Sequence, residues 1–322
     1  MKRIVTRRRF IEAGLLSCLS PRLALADGEV LPVSHFGPYA SADEVTQGID
    51  LSGKTMVVTG CNSGIGYETM RVLAMRGAHV IGTARTAQKG RDACTNINGR
   101  VTPVVLELSD FSSVVACAQQ IRAMNVPVDA LICNAGVLLA QLQEVNGIEM
   151  QFVVNHLGHF LLTHRLLDRL VAAPQGRVVV LGSVSHWEAP QGGIQFDNLS
   201  GHGWERGSYG HSKLANGLFS LELARRLRGS RATSNCLHPG GVKTQILRHF
   251  NYPTPTGNYR FKTPAEGAAT SCYLATNPAL AKVSGYYFED CNAGRQSPNQ
   301  TNVAMARRLW EVSEYLTREY LM

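Results

Sequence analysis

The sequence of 322 residues has few features of a disulfide-stapled, metal-binding or nucleic-acid-binding protein. Its eight cysteines include no Cys-x-x-Cys pair, and aromatic residues make up only 7% of the chain. No basic stretch is interleaved with aromatic side chains, so nucleic-acid binding is not indicated. Internal repeats are also missing, and no apolar stretch is long enough for a stable membrane span.

The cysteines and histidines do not form the pattern of a metal site. His156, His159 and His164 share one predicted helix, but no carboxylate or cysteine is suitably placed beside them. We expect them to be core or surface histidines. The cysteines are typical of small buried residues, and Cys272 and Cys291 are the one pair worth inspecting for a disulfide.

The N-terminal segment carries much of the positive charge. The formal net charge is +8, but residues 1–26 hold six Lys/Arg and one Glu, which leaves +3 for the rest. Thr6-Arg-Arg-Arg-Phe-Ile11 resembles a twin-arginine export signal, and Ala24-Leu-Ala26 fits the small-residue rule for cleavage after it. An uncleaved basic tail and a lipoprotein site at Cys18 are the alternatives. We expect a signal peptide over residues 1–26, one domain over residues 27–322, and a periplasmic or secreted protein.

A glycine-rich turn follows the first predicted strand. Residues 54–59 are rich in β-branched side chains and predict a buried strand, whereas residues 67–76 have helical spacing. The turn between them reads Gly60-Cys-Asn-Ser-Gly-Ile-Gly66. Glycines allow a tight turn and a close approach of the backbone to a phosphate, and the helix N-terminus attracts a pyrophosphate. The pattern predicts a dinucleotide-binding turn, although any strand-to-helix turn can use glycines.

The end of the next predicted strand, residues 78–84, favours NADP(H) over NAD(H). Enzymes that use NAD usually carry an acid there, which binds the ribose 2′-hydroxyl. Here Ala84 is followed by Arg85. A guanidinium without a carboxylate favours a 2′-phosphate, so we expect Arg85 to bind it. A solvated arginine at the end of the strand is the alternative.

Strands and helices alternate along the chain. Further strands are predicted over residues 101–107, 128–133 and 176–182, and Asn134-Ala-Gly136 closes the second of these. The alternation predicts an α/β fold with a single doubly wound, Rossmann-type parallel sheet and helices on both faces.

Tyr209 and Lys213 are one turn apart at the start of a predicted helix, so both side chains share one face. A free phenol has a pKa near ~10, and a nearby ammonium lowers it. Tyr209 would then exchange a proton with a substrate oxygen while a nicotinamide exchanges a hydride. Ser183, at the end of the strand over residues 176–182, would hydrogen-bond the same oxygen.

Together these motifs resemble those of short-chain dehydrogenases/reductases, most closely the branch that includes retinol dehydrogenases. The resemblance runs from about residue 41 to about residue 316. The motifs that carry it are Thr59-Gly-Cys-Asn-Ser-Gly-Ile-Gly66, Asn134-Ala-Gly136, Asn155-His-Leu-Gly158, Ser183, Tyr209-x3-Lys213, Leu214-Ala-Asn216 and His238-Pro-Gly-Gly-Val-Lys-Thr244.

The resemblance implies the catalytic set Asn155, Ser183, Tyr209 and Lys213. Asn155 would hold a water of a proton relay, Lys213 would also bind the nicotinamide ribose, and Asn134 would help to seat a ribose. The implied cofactor-binding residues are Gly60, Asn62, Ser63, Gly64, Ile65, Gly66, Arg85, Glu107, Leu108, Asn134, Ala135, Gly136, Tyr209, Lys213, Pro239, Gly240, Val242 and Thr244.

Three features depart from the usual family pattern. Gly182 stands where the family often has a first serine, so Ser185 is a second candidate hydroxyl beside Ser183. Glu107 stands where an aspartate usually lies near the adenine. Residues 192–207 lengthen the segment before the catalytic tyrosine, and this insert matches the retinol-dehydrogenase-like pattern.

The irregular stretch over residues 245–262 is expected to form a substrate lid. Apolar side chains in this lid and two tryptophans before the catalytic tyrosine predict an apolar alcohol or carbonyl substrate. They are Ile246, Leu247, Phe250, Tyr252, Trp187 and Trp204. The resemblance also allows a homodimer, built on the long helices that flank the site.

The sequence predicts an NADP(H)-dependent oxidoreductase that interconverts a hydrophobic alcohol and its ketone or aldehyde. A nucleotide-binding sensor or scaffold without turnover is a second hypothesis. The intact Asn, Ser, Tyr and Lys positions argue against it, because a pure binder has no need for all four. A third hypothesis is reduction of a C=C bond on the same scaffold.

Overall fold

The computed structural model describes residues 31–204, 208–248 and 260–321. The predicted signal peptide over residues 1–26 lies outside the described residues. Most of the predicted lid, over residues 249–259, does so too, and with it Phe250 and Tyr252.

A mostly parallel sheet of eight strands forms the centre of the fold. The strands of the described residues are β1 (Thr55–Val58), β2 (His79–Ala84), β3 (Val101–Val105), β4 (Ala130–Cys133), β5 (Glu144–Val145), β6 (Ile148–Glu149), β7 (Arg177–Leu181), β8 (Thr233–His238), β9 (Tyr287–Glu289) and β10 (Asn292–Ala293). The order in the sheet is β10-β9-β8-β7-β4-β1-β2-β3, and β5 and β6 form a separate hairpin. Only the edge pair β9–β10 of this sheet is antiparallel. The predicted fold class is confirmed.

Helices cover both faces of the sheet. They are α1 (Ala42–Val45), α2 (Gly64–Met75), α3 (Ala87–Cys94), α4 (Phe111–Ala123), α5 (Met150–Phe152), α6 (Gly158–Ala172), α7 (Ser208–Arg226), α8 (Pro264–Thr276) and α9 (Val303–Thr317). A π-helical turn over Val153–Leu157 joins α5 to α6, and short 3-10 turns occupy Val184–Glu188, Gln245–Leu247, Pro278–Leu280 and Arg318–Tyr320. Among the described residues, none of these helices combines the length and apolarity needed to cross a bilayer.

The strands are apolar throughout because both faces of the sheet are covered. In β1, Met56 and Val58 belong to the core cluster that includes α8, whereas Val57 points into the cluster formed with α4 and α6. This alternation follows from the two-residue period of a strand. The predicted site loops, after β1, β4 and β7, therefore lie together at the carboxyl edge of the sheet.

The chain before β1 contributes to the core. Leu31, Ala42, Val45 and Leu51 are buried in the same cluster as α8. Helix α1 begins with a capping box, in which Ser41 and Glu44 each bond to the other's backbone N–H. The box lets a short helix form and presents Ala42 and Val45 to the core.

The last helix, α9, packs along the long helix α7. Trp310 is 5% exposed, and its ring centroid lies 4.9 Å from that of Phe160 and 6.0 Å from that of Phe219. The Arg226 guanidinium stacks on the same indole at 4.2 Å. This face of α7 is therefore covered by the chain's own C-terminal helix.

Candidate active site

The glycine turn between β1 and α2 has the shape of an anion cradle. Gly60 and Gly64 adopt φ values of +72° and +60°, which side chains disfavour. Ser63 precedes α2 but makes no side-chain cap, so the first N–H groups of the helix keep their capacity to bind an anion. Asn62 and Ser63 are exposed at the tip of the turn. These features fit a dinucleotide pyrophosphate.

Gly66 lets α2 pack directly on the start of this turn. A Cβ atom at this position would lie 2.3 Å from the Gly60 carbonyl oxygen and 2.4 Å from Asn134 Nδ2. Ile65 and Val242 both approach Gly267 of α8, so their side chains pack beneath the turn. The turn is thus held from below by contacts that leave no room for a methyl group.

Replacing Gly66 with alanine should weaken nucleotide binding. Overpacking of a tight contact costs about 1–3 kcal/mol, which corresponds to a roughly 5- to 150-fold higher Kd for NADPH. Fluorescence titration with NADPH measures the effect, together with the Tm of the nucleotide-free protein. Gly37→Ala is the matched control, because a Cβ atom at Gly37 meets nothing within 4 Å. A Gly66→Ala protein that binds NADPH as tightly as this control would contradict the assignment.

Arg85 follows β2 directly and is exposed. Within the described part of the chain, no ion pair or side-chain hydrogen bond holds its guanidinium. The side chain therefore keeps all its donors for a phosphate group at the end of β2.

Asn134 at the end of β4 contacts the glycine turn itself. Its Nδ2 donates to the Thr59 carbonyl oxygen at 2.7 Å, with a longer contact of 3.5 Å to the Gly60 carbonyl. The backbone N–H groups of Asn134 and Ala135 both donate to Thr59 Oγ1 at 2.9 Å. The side chain of Asn134 thus fixes the shape of the turn. Its influence on a bound ribose would be indirect, through the position of this turn.

Glu107 and Leu108 follow β3 and make contacts of their own. The Glu107 carboxylate accepts hydrogen bonds from the backbone N–H and the hydroxyl of Ser109 at 3.1 and 2.8 Å. Leu108 is 4% exposed and packs on Gly158, where an added Cβ would lie 2.6 Å from the Leu108 carbonyl oxygen. Both residues shape the turn after β3, and the Glu107 carboxylate is engaged within it.

The loop after β8 reaches back to the glycine turn. This loop contains Pro239, Gly240, Val242 and Thr244, and the Thr244 methyl group would lie 3.1 Å from a Cβ at Gly64. Gly240 has φ +87° and leaves room for the Lys262 side chain, whose Cε would be 2.6 Å from an added Cβ. Lys262 also pairs with Asp290 at 2.5 Å. The described start and end of the predicted lid are therefore anchored beside the glycine turn.

Lys213 is buried and tied to the strand that carries Ser183. Its Nζ donates to the Leu181 carbonyl oxygen at 2.9 Å, as does Asn216 Nδ2 at the same distance. Burial lowers the pKa of Lys213 to about 8. The Nζ lies 5.5 Å from the centroid of the Tyr209 ring, close enough for a cation–π contact. The predicted pair on α7 thus faces the end of β7.

Ser183 caps the short 3-10 turn that follows β7. Its Oγ accepts a hydrogen bond from the backbone N–H of Ser185 at 3.1 Å. Because that bond uses a lone pair, the hydroxyl proton of Ser183 stays available as a donor to a substrate oxygen. The Ser183 carbonyl accepts a bond from His186 Nδ1 at 2.7 Å, which holds the turn in place.

Asn155 lies in the π-helical turn over Val153–Leu157 and is fully buried. Its side chain forms a two-way bond with Val137: Oδ1 accepts from the backbone N–H at 2.8 Å, and Nδ2 donates to the carbonyl at 3.0 Å. Nδ2 also donates to Ser212 Oγ at 2.9 Å, one residue before Lys213. Gly136 lies beside both Asn155 and Lys213: a Cβ atom added at this glycine would lie 3.1 Å from Asn155 Oδ1 and 3.7 Å from Lys213 Nζ. The turn after β4, the π-turn and α7 therefore meet here.

The histidines and cysteines are used in packing and hydrogen bonding. His156 Nε2 bonds to Ser313 of α9 at 2.8 Å, and His211 Nε2 accepts from the Gln195 N–H at 3.1 Å. The His211 ring lies against Trp204 of the insert, with the ring centroids 4.5 Å apart. Cys272 and Cys291 are both free thiols.

Comparison with known proteins agrees with this geometry. The model of the short chain dehydrogenase family matches residues 54–253. The chain belongs to the short-chain dehydrogenase family. Members of this family are NAD(P)-dependent oxidoreductases that act on an alcohol or carbonyl group, and this chain is one of them.

Relatives of known name cover nearly all of this short-chain dehydrogenase. It is 40% identical to short-chain dehydrogenase TIC 32 B, chloroplastic, of Brassica napus, over 87% of this chain and 93% of the relative. It is also 40% identical to human retinol dehydrogenase 11, over 85% of this chain and 88% of the relative. A Pseudomonas aeruginosa structure, the RhlG/NADP active-site complex, is 27% identical, covers 75% of this chain and 96% of that one, and has a TM-score of 0.61.

Proposed function

We propose that the protein is an NADP(H)-dependent oxidoreductase that interconverts a hydrophobic alcohol and its ketone or aldehyde. The observation that carries the proposal is the tie between β7 and α7. Lys213, one turn after Tyr209, bonds to Leu181, two residues before Ser183. This bond, with the one that Asn216 donates to the same carbonyl oxygen, holds the helix that carries the phenol against the strand that leads to the Ser183 hydroxyl.

Each side chain has one task in the proposed reaction. Ser183 donates its hydroxyl proton to the substrate oxygen and fixes its direction. Tyr209 gives the proton to that oxygen during reduction and removes it during oxidation. The Lys213 ammonium, desolvated beside the Tyr209 ring, favours the phenolate form. NADP(H), when bound at the glycine turn, supplies or accepts the hydride.

The preference for NADP(H) rests on the end of β2. Arg85 is exposed there, and no carboxylate occupies the neighbouring Ala84 position. A guanidinium at that place binds a 2′-phosphate through charge-assisted bonds and gains nothing from a 2′-hydroxyl. The similarity to a structure described as an NADP complex supports the same choice.

Arg85→Ala should separate the two nucleotides. Losing hydrogen bonds to a charged group costs about 1.5–3 kcal/mol, so the Kd of NADPH should rise roughly 10- to 150-fold while that of NADH stays nearly constant. Binding titrations with both nucleotides measure this. Arg91→Ala, on the exposed face of α3, is the control. Equal losses for NADPH and NADH would contradict a 2′-phosphate site.

The substrate class is proposed from the rim of the site. Trp187 lies four residues after Ser183 and is 45% exposed, with the Arg295 guanidinium 5.5 Å from its ring. Ile246 and Leu247 of the 3-10 turn after β8 are half-buried. Human retinol dehydrogenase 11, which shares 40% identity with this chain, is named for retinol, an apolar polyene alcohol. This name supports the same substrate class.

Turnover of a panel of apolar carbonyls tests the proposed function. NADPH should be consumed with aliphatic and polyene ketones and aldehydes of increasing length, and kcat/KM should rise with apolar surface. Small polar carbonyls of equal reactivity serve as the control set. A protein that binds NADPH tightly but turns over none of these compounds would favour the nucleotide-binding sensor instead.

A further inference from the structure

A buried hydrogen-bond chain joins the glycine turn to the catalytic π-turn. His159 lies in the first turn of α6 and is 2% exposed. Its Nδ1 contacts the Asn155 carbonyl oxygen at 3.1 Å, and its Nε2 contacts Thr59 Oγ1 at 2.8 Å. Thr59 in turn accepts the N–H groups of Asn134 and Ala135. One imidazole therefore touches both the catalytic segment and the residue that opens the nucleotide turn.

The partners fix the tautomer of this histidine. A carbonyl oxygen can only accept, so Nδ1 carries the hydrogen and Nε2 must accept from the Thr59 hydroxyl. Thr59 Oγ1 then donates to His159 Nε2 at 2.8 Å, with a longer contact of 3.4 Å to the Ile132 carbonyl oxygen, and accepts twice, from Asn134 and Ala135. The imidazole is the nearer of the two acceptors, so the hydroxyl proton is directed at His159.

The surroundings of His159 disfavour its charged form. Burial, followed by the nearby Lys213 charge, lowers its pKa to about 4, against the opposing effect of the Asn155 bond. The imidazole is therefore neutral at physiological pH. Protonation of Nε2 would also add a third donor to Thr59 Oγ1 and would turn the hydroxyl proton to the more distant Ile132 carbonyl, at 3.4 Å. The neutral ring joins its two partners as a fixed strut.

We propose that His159 is a positioning residue that couples nucleotide binding to catalysis, by holding the Asn155 turn and the glycine turn in one register through Thr59. The inference rests on the proposed function for its catalytic part only. The strut acts on an uncommon backbone, because π-turns are rare and occur mostly at functional sites. A relaxation of Val153–Leu157 to an α-helix would rotate Asn155 relative to Val137 and Ser212, its present hydrogen-bond partners.

A double-mutant cycle with Thr59→Val and His159→Phe tests the coupling. Thr59→Val keeps the size of the side chain, His159→Phe keeps an aromatic ring of somewhat larger size, and both remove the hydrogen bond between the two residues. Thr59→Val also removes the acceptor of the Asn134 and Ala135 N–H groups, and His159→Phe also removes the bond to Asn155, so only the double variant isolates the shared bond. Each alone should raise the Kd of NADPH about 3- to 10-fold and lower kcat about 10- to 100-fold. In the double variant the losses should be at least threefold smaller than the product of the single losses, because both substitutions cut the same link.

Three companion measurements separate positioning from general destabilisation. Thr59→Ser keeps the hydroxyl and should restore Kd and kcat to within about threefold of the parent. The pH at which kcat is half-maximal should not move in the His159 variants. His164→Phe, on the same helix and half-buried, should leave both constants unchanged. If His159→Phe does not fold, His159→Asn replaces it in the cycle, since it keeps a donor near Asn155 but cannot reach Thr59.

The result that overturns the proposal is a double variant whose losses equal the product of the single losses, or a His159→Phe protein that binds NADPH and turns over like the parent. The part of the double-mutant cycle that measures the Kd of NADPH does not require the protein to turn over a substrate. If the parent protein shows none with any carbonyl, the proposed function fails, while the cycle on NADPH binding still decides whether His159 and Thr59 act as one unit.

Discussion

Replacing Tyr209 with phenylalanine should lower kcat by about 10²- to 10⁴-fold, the usual contribution of a general acid–base group. The substitution removes one oxygen atom and keeps the ring, so the 5.5 Å contact with Lys213 is retained in shape. The substrate oxygen then has no phenol with which to exchange a proton, although Ser183 can still orient it. Steady-state oxidation of NADPH with an apolar ketone measures the loss.

Nucleotide binding provides the internal control for this variant. The Kd of NADPH should change less than about fivefold, because the implied contact of Tyr209 is with the nicotinamide end, whereas the pyrophosphate and 2′-phosphate sites lie on other loops. Tyr315→Phe is the matched control substitution, since that phenol is 64% exposed on α9. If the Tyr209→Phe protein keeps more than about a third of the parent kcat, Tyr209 is not the acid–base group of the reaction.

Acidification should unfold the protein sharply between about pH 6 and pH 5. Burial, the largest cause in each case, lowers the pKa of His156, His211 and His238 to about 3 and that of His159 and His186 to about 4. The folded protein keeps these rings neutral, whereas the unfolded chain protonates them below a pKa of about 6.5. Unfolding therefore takes up protons, and the free energy of unfolding falls as the pH falls.

The expected effect is large because five rings act in the same direction. Each ring lowers the free energy of unfolding by about 1.4 kcal/mol for every pH unit below the pKa of histidine in the unfolded chain. Together they remove roughly 7 kcal/mol by pH 5.5, comparable with the total stability of most domains, about 5–15 kcal/mol. Burial raises the pKa of Glu149 and offsets a small part of this.

Urea unfolding at a series of pH values measures this dependence. His156→Gln should reduce the proton uptake on unfolding by about one. Equal free energies of unfolding at pH 7.5 and 5.5 would contradict the neutral, buried state of these histidines.

The sequence predicted those parts of the fold whose signals are local. Helix α8, Pro264–Thr276, has such a local signal at its start, where Thr263 and Glu266 form a capping box and Pro264 occupies the first turn. The predicted strands ran one or two residues past their observed ends, since pairing with neighbours decides where a strand stops. The antiparallel β10 was missed because two residues carry no periodic pattern.

The candidate site was predicted in its parts but not in its connections. The glycines, Ser183, Tyr209 and Lys213 carry recognisable spacing, whereas the π-turn around Asn155 depends on tertiary contacts that no local pattern encodes. His159 was expected only to be a core or surface histidine. Its contact with Thr59 spans one hundred positions of sequence, and the position of the histidine four residues after Asn155 was the one available signal.

The most direct test of the proposed reaction follows a deuterium label from the nucleotide to the substrate. NADPH carrying deuterium at C4 of the nicotinamide is incubated with the protein and an apolar enone, which offers both a C=O and a C=C bond. Hydride transfer to the carbonyl should place deuterium on the carbinol carbon of an allylic alcohol, with a primary isotope effect on the hydride step. Label transfer by Tyr209→Phe should be at least about 10²-fold slower. Deuterium found on the carbon β to an intact ketone, or label that never leaves the nucleotide, would contradict the proposed reaction.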